Sequence, residues 1–248
     1  MIIAHRGASA VAPENTEASF TLAWQMKVPA AECDIYLTRD NQVIILHDPN
    51  TKRTAGADMK VSEVNYSELC QLDVGSFKDE KYAGEKIPLL ADIIETIPAD
   101  GKFLIEIKCG KEVLPYLEQI INKSGKRSQI VIIGFNIDVI TEAKKLMPDI
   151  PVCWLVMTEK EKDKETGKET DKWIPHSLDL IRTAKKHNLD GLDVHWEGLS
   201  KEFIQKAHRV GLKVYAWTVD DLPVARQVKR MGVDGITSNK PDLIMKNI

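Results

Sequence analysis

Asn188-Leu189-Asp190-Gly191, Gly211-Leu212-Lys213-Val214 and Gly232-Val233-Asp234-Gly235 are the three turns that decide how this chain folds. They recur after 23 residues (188 to 211) and then 21 (211 to 232). Gly, and to a lesser degree Asn, tolerates the left-handed backbone that closes a helix at its C-terminus. Basic residues gather just before each turn: Lys185-Lys186-His187, His208-Arg209 and Lys229-Arg230. There they offset the negative end of the helix dipole. A short apolar run follows each turn. Helix, cap and strand at so short a period mean βα units and a parallel sheet.

Working outward from these turns, strands are expected near Ile2–Ala4, Ala30–Ile35, Phe103–Ile107, Ile130–Gly134, Val152–Val156, Gly191–Val194, Lys213–Trp217 and Gly235–Ile236. Helical patterns separate most of them, as at Thr16–Met26, Val139–Met147, Leu178–Lys186 and Lys201–Arg209. Eight alternating units in 248 residues predict an α/β fold of the (β/α)8 TIM-barrel kind. An open doubly wound sheet would want a glycine-rich phosphate loop after the first strand; here that strand runs into His5-Arg6-Gly7. Two stretches break the rhythm. Residues ~48–87 form a short excursion between the second strand and its helix, within one domain spanning 1–248. Residues 158–172 are almost all charged with alternating sign, which predicts a solvated loop or helix extension.

Charge and composition narrow the class. With 34 Lys+Arg against 37 Asp+Glu the chain has no basic footprint for nucleic acid. No apolar run approaches the ~18 residues of a membrane span, so no stable membrane anchor is expected. The opening Met1-Ile2-Ile3-Ala4-His5 has no basic segment followed by a long apolar one, which predicts a cytoplasmic protein, or a secreted or periplasmic one if a leader has been removed. Cys33, Cys70, Cys109 and Cys153 form no CxxC pair and are expected to be reduced and mostly buried.

In a barrel the chemistry sits where the strands end. The first strand ends at His5-Arg6-Gly7. The second carries Glu32-Cys33-Asp34, where alternation turns Glu32 and Asp34 to one face and Cys33 to the other. The run Asn41–Asp48 reads as the return arm of a hairpin, bringing His47 to the same mouth, with Asp48 placed to orient it. The third strand ends Ile105-Glu106-Ile107-Lys108, with Glu106 and Lys108 on one face. Unpaired carboxylates are costly to bury, so a divalent cation held by Glu32, Asp34 and Glu106 is expected. Hard oxygen ligands favour Mg2+ or Ca2+ over zinc. Arg6 and Lys108 suit a phosphate, and His5 and His47 suit a general acid and a general base. Together they assemble metal-assisted displacement at phosphorus in a small-molecule substrate, with protonation of an alkoxide leaving group. His176, His187 and His208 are expected at the surface. His195 either lines the mouth with Asp193 or makes a structural hydrogen bond. Asn15 and Glu17 read as the N-cap and first turn of a helix.

These residues resemble the glycerophosphodiester phosphodiesterase family along nearly the whole chain. The resemblance is carried by His5-Arg6-Gly7 with Pro13-Glu14-Asn15-Thr16, Glu32-Cys33-Asp34-Ile35 with Thr38-Arg39-Asp40, and His47-Asp48. It continues through Ile87-Pro88-Leu89-Leu90, Ile105-Glu106-Ile107-Lys108 and the tail from Gly232 to Pro241. It implies hydrolysis of glycerophosphodiesters to an alcohol and glycerol phosphate, with His5 and His47 as the acid/base pair. It further implies one divalent metal on Glu32, Asp34 and Glu106, with Arg6 and Lys108 near the phosphate. The family's aromatic on the seventh strand falls on Trp217, a wall for the organic part of the substrate. The chain departs from the family's pattern at Ser238-Asn239-Lys240. The same constellation also fits a phosphodiesterase for lysophospholipid or sphingolipid head groups, or a non-catalytic phosphate-binding barrel.

Overall fold

The computed structural model describes residues 1–163 and 166–248. In chain order the strands are β1 (Ile2–His5), β2 (Ala30–Leu37), β3 (Val43–Ile45), β4 (Lys102–Ile107), β5 (Ile130–Gly134), β6 (Val152–Val156), β7 (Lys160–Lys162), β8 (Glu169–Trp173), β9 (Gly191–His195), β10 (Lys213–Trp217) and β11 (Gly235–Ser238). The α-helices are α1 (Glu17–Gln25), α2 (Lys52–Ala55), α3 (Tyr66–Leu69), α4 (Leu90–Glu95), α5 (Leu114–Ser124), α6 (Ile137–Leu146), α7 (Asp179–Lys186), α8 (Lys201–Arg209), α9 (Leu222–Met231) and α10 (Pro241–Asn247). Among the described residues β1, β2, β4, β5, β6, β9, β10 and β11 pair in parallel in that order, and β11 closes back onto β1. This is a (β/α)8 barrel, as the helix–cap–strand rhythm predicts.

The three turns have the backbone their residue types favour: Asn188, Gly211 and Gly232 have φ of 55°, 80° and 101°. Two of them also tie neighbouring strands together. The Asp190 N–H donates to the Val152 carbonyl at 2.8 Å while its Oδ2 accepts from the Val152 N–H at 2.8 Å. Asp234 does the same to Val214, at 2.7 and 2.8 Å. An aspartate just before each strand thus extends the ladder by one pair, using its side chain as a second acceptor.

Alternation along the strands divides the apolar residues between two cores. Ile3, Leu104, Val131, Ile133, Cys153 and Leu155 fill the barrel interior with Tyr215 and Trp217. The opposite set, including Cys33, Ile35, Phe103, Ile105 and Ile132, packs under the helices. Phe20 of α1 meets Phe103 of β4 there, edge to face at 5.5 Å. A third cluster of Ile44, Leu46, Val61, Leu69, Val74 and Ile87 lies under the inserted segment. That segment therefore has its own small core, built on the β2–β3 hairpin.

Several local expectations are corrected. The charged run 158–172 is a loop or helix extension only in the expectation: Lys160–Lys162 and Glu169–Trp173 pair as an antiparallel hairpin, while Lys164 and Glu165 lie outside the described residues. Alternating sign on a two-stranded ribbon lets both faces stay solvated. Its root is tied by the Thr158 hydroxyl donating to the Ile174 carbonyl. Cys33 and Cys153 are buried, but Cys70 and Cys109 are only half-buried. His176 is buried rather than exposed, because its Nε2 bonds the His195 carbonyl at 2.8 Å and its ring packs on Phe203. Thr16, not Asn15, caps α1, in a reciprocal pair with Ser19.

Candidate active site

Each strand that ends at the mouth presents its polar residue by the same alternation that builds the cores. At the end of β1 the backbone turns left-handed through Arg6 (φ 55°) and Gly7 (φ 79°). A β-carbon on Gly7 would collide with Ser19 of α1, so the turn needs glycine for space as well as for conformation. The turn aims the Arg6 N–H at Glu32 Oε2, 3.0 Å away. Its guanidinium spans Glu14 Oε1 at 2.9 Å and Asp34 Oδ2 at 3.2 Å.

Glu32, Asp34 and Glu106 are buried, and one carboxylate oxygen from each lies within 4.8 Å of the others. Among the described residues, none donates a hydrogen bond to Glu32 Oε1 or Asp34 Oδ1. Burial first, then repulsion from Asp34, pushes Glu106 up to about 7 and Glu32 well above the usual carboxylate range. Burial would raise Asp34 as well, but Arg6 and Lys108 outweigh it and hold that carboxyl low. Lys108 Nζ sits 2.8 Å from Glu106 Oε1 and 3.3 Å from Asp34 Oδ1. Three buried acids, two of them with an oxygen that no hydrogen bond reaches, face two cations, and the set is short of positive charge at its centre. That is the donor set and the electrostatic deficit of a site for a hard divalent cation.

The two histidines are backed differently. His5 Nδ1 lies 2.8 Å from Asn239 Oδ1. The Asn239 amide donates to Asp220 at 2.6 Å, and the Asn239 N–H donates to the same carboxylate at 2.7 Å, so the amide oxygen is turned toward His5. An oxygen acceptor puts the imidazole proton on Nδ1 and leaves Nε2 as a lone pair. Burial, then the charge of Arg6, lowers His5 to about 4, so the ring is neutral near pH 7. His47 Nδ1 instead faces a carboxylate, Asp48 Oδ1, at 2.6 Å. Arg53 on α2 holds Asp48 Oδ2 at 2.6 Å and Glu14 at 2.8 and 2.9 Å. Glu14 in turn holds Arg6. A chain of alternating charges thus ties His47 to Arg6 around the rim.

All seven sequence-derived residues of the phosphate site converge except that Asp34 lies just behind the wall. His5, Arg6, Glu32, His47, Glu106 and Lys108 line one cavity of about 250 Å3. Trp217 lines it too, edge to face with Phe135 at 5.6 Å. The site also uses residues beyond the seven expected from the sequence. Asn15, with φ 60°, donates to Asp34 Oδ2 at 2.8 Å and orients it. Glu14, Arg53, Asp220 and Asn239 act through the pairs above. Phe135 and Met157 complete the apolar side of the cavity, and Asp193 and Thr237 reach its floor. Glu14, Asn15, Thr237 and Asn239 lie in the stretches that carry the family resemblance, and Asp193 near a strand end, but neither signal says which side chains turn inward. His195 is set among Trp173, Trp196 and Trp217 at the rim rather than on the cavity wall.

Among proteins of known sequence, a glycerophosphodiester phosphodiesterase of Caldanaerobacter subterraneus subsp. tengcongensis is 29% identical over 256 residues, covering 99% of this chain and 96% of that protein. A lysophospholipase D of Mus musculus is 34% identical over 159 residues, which is 61% of this chain and 50% of that protein. Among solved structures, an Oleispira antarctica phosphodiesterase in complex with the product sn-glycerol-3-phosphate superposes with a TM-score of 0.88 at 27% identity. It covers 100% of this chain and 96% of that one. The sequence pattern of the glycerophosphoryl diester phosphodiesterase family matches residues 5–243, across every strand end that builds the cavity. The chain belongs to the glycerophosphoryl diester phosphodiesterase family.

Proposed function

We propose that residues 1–248 act as one catalytic unit that hydrolyses glycerophosphodiesters to an alcohol and glycerol phosphate, with a divalent cation, Mg2+ or Ca2+, held by Glu32, Asp34 and Glu106. When bound, the cation supplies positive charge to the phosphoryl oxygens as charge builds on them. Arg6 and Lys108 flank the phosphate and fix its orientation. His5, neutral and with Nε2 free, takes the proton from the attacking hydroxyl. His47, whose Nδ1 is backed by the Asp48 carboxylate, carries a proton on Nε2 to the leaving alkoxide. Trp217 and Phe135 wall the organic part of the diester. The inserted segment holds His47 through Arg53 and forms one rim of the mouth.

The observation that carries this reading is the gathering of two unlike imidazoles, two cations and three buried carboxylates around one cavity. The family match and the product named for the Oleispira antarctica structure support the substrate class. The test is turnover of glycerophosphocholine to choline and glycerol phosphate, measured with Mg2+, with Ca2+ and with excess chelator. Full activity under exhaustive chelation rejects the metal assignment, and no hydrolysis with either ion rejects the reaction.

One observation favours a second substrate. Phe135 and Met157 line the cavity yet are 43% and 53% exposed. The two residues come from separate segments, so no continuous apolar loop marks this rim in the sequence. Such a rim suits the acyl chain of a lysophospholipid. Comparing kcat/KM for lysophosphatidylcholine and glycerophosphocholine decides between them.

A further inference from the structure

Apart from Glu32 and the ion-paired Arg6, two side chains among the described residues bring a buried polar atom without a hydrogen bond to the cavity: Asp193 through Oδ1 and Thr237 through Oγ1. Asp193 is 1% exposed and comes from the middle of β9, in register with Leu155 of β6 and Tyr215 of β10. In the closed strand order β9 lies four strands from β2 in either direction, so Asp193 faces the carboxylate triad from across the barrel. Thr237 comes from β11, in register with Ile3. Between them stands Trp217 of β10, whose indole N–H donates to the Asp193 carbonyl at 3.1 Å and leaves its carboxyl unused.

An unpaired carboxyl among Ile133, Leu155 and Trp217 costs folding free energy. Natural interiors rarely leave such a group unless something polar enters the space beside it. Burial, then the charge of Glu106, raises Asp193 to about 8, so at neutral pH it is a carboxylic acid that both donates and accepts. The Thr237 hydroxyl does both as well. The partner that matches such a pair is a hydroxyl, and a diol offers two. The cavity is below the roughly 300–1,000 Å3 of drug-sized sites, which suits a small polyol.

We infer that Asp193 and Thr237 form a subsite for the hydroxyl groups of the substrate's glycerol moiety, selecting a polyol ester over a plain alkyl ester. This rests on the phosphodiesterase reading above, but its test needs no turnover. Calorimetric binding of sn-glycerol 3-phosphate and of propyl phosphate would be compared in the wild type, Asp193→Leu, Asp193→Asn and Thr237→Val, all with Mg2+ present. The wild type is expected to prefer glycerol 3-phosphate by on the order of tenfold or more, the usual worth of satisfying a buried polar group. Asp193→Leu should bring the ratio near one and Thr237→Val should reduce it. Asp193→Asn, which keeps a donor and an acceptor, should retain most of it. Propyl phosphate affinity should stay constant throughout. Asp193→Leu replaces an unpaired acid by an apolar group, so it is expected to fold, and an unchanged melting curve or a higher melting point checks this. The inference is overturned if the wild type shows no preference, or binds neither ligand. It also fails if Asp193→Leu keeps the preference or weakens both ligands alike. Asp193→Asn behaving like Asp193→Leu would reassign the group as an ionised carboxylate seeking a cation, and so also overturns it. Absence of turnover on glycerophosphocholine with the binding ratios as expected would instead reject the reaction and leave the subsite standing.

Discussion

His5 and His47 are the same residue type at the same mouth, and what separates them is the atom facing Nδ1. A neutral amide oxygen faces one and a carboxylate faces the other. Each change to Ala should lower kcat on the order of 10²–10⁴, the usual worth of a positioned acid or base. A nitrophenyl leaving group needs no proton, so with that substrate His47→Ala should recover much of its rate and His5→Ala should not. Steady-state rates on alkyl and nitrophenyl esters of glycerol phosphate check this, and the reverse pattern exchanges the two roles. Asp193 gives a second prediction at this scale. Its folded value of about 8 lies above the roughly 3.9 of an unfolded chain. The fold therefore favours the neutral acid. This contribution is fully present below about pH 4 and is lost as pH rises toward 8, because ionisation is easy only in the unfolded chain. Asp193→Asn should match the wild type near pH 4 and exceed it by a few kcal/mol at pH 8–9. Chemical denaturation across that range, with chelator present, is the measurement. Equal stability at both ends would mean that Asp193 is ionised and solvated in the fold.

At the scale of elements, the inserted segment matters through one side chain. The Arg53 side chain is 43% exposed, yet it bridges Asp48 and Glu14. Arg53→Ala should leave stability almost unchanged, as expected of an exposed pair. It should lower kcat by about tenfold with little change in KM, because His47 loses the anchor of its partner while the phosphate contacts remain. Arg53→Lys should restore only part, since a point charge cannot fork between two carboxylates. Kinetics of the two variants, with melting temperatures alongside, test this. A large loss of stability, or a rise in KM alone, would make Arg53 a structural or substrate-binding residue. The β7–β8 hairpin shows the other use of a segment: it sets Trp173 on the ring of His195 at 4.9 Å, and so continues the aromatic rim beyond Trp217.

For the whole molecule, the barrel forces three acids together at one end, and the fold is built around that repulsion. A cation at Glu32, Asp34 and Glu106 binds the folded chain alone and should raise its stability by linkage. At a free concentration 100 times Kd the gain is about 2.7 kcal/mol, or about 5–10 °C in Tm for a chain of this size. Mg2+ or Ca2+ should therefore raise Tm and restore activity together after chelation. Glu32→Gln should remove the shift while raising the metal-free Tm. Scanning calorimetry with and without each ion checks it. A Tm indifferent to both ions would place the metal elsewhere.

The sequence by itself determined the barrel, since its evidence is local. Caps at Asn188, Gly211 and Gly232, alternation within each strand and the lengths between them are backbone and burial preferences that act over a few residues. It also determined the chemical set, because Glu32 with Asp34 and Glu106 with Lys108 share faces by the two-residue period alone. Tertiary structure decided what depends on side chains meeting across long separations. Asn239 stands 234 residues from His5, and their contact exists because β11 closes against β1. Asn15 reads locally as a helix cap, but the left-handed turn before α1 swings it onto Asp34 instead. The charged run at 158–172 has no apolar period to betray a strand, so only the fold shows its pairing. Asp193 looks like any strand-end aspartate in the sequence. Its burial across from the triad, with Oδ1 unpaired among the described residues, follows from closing the sheet into a cylinder, which no local pattern encodes.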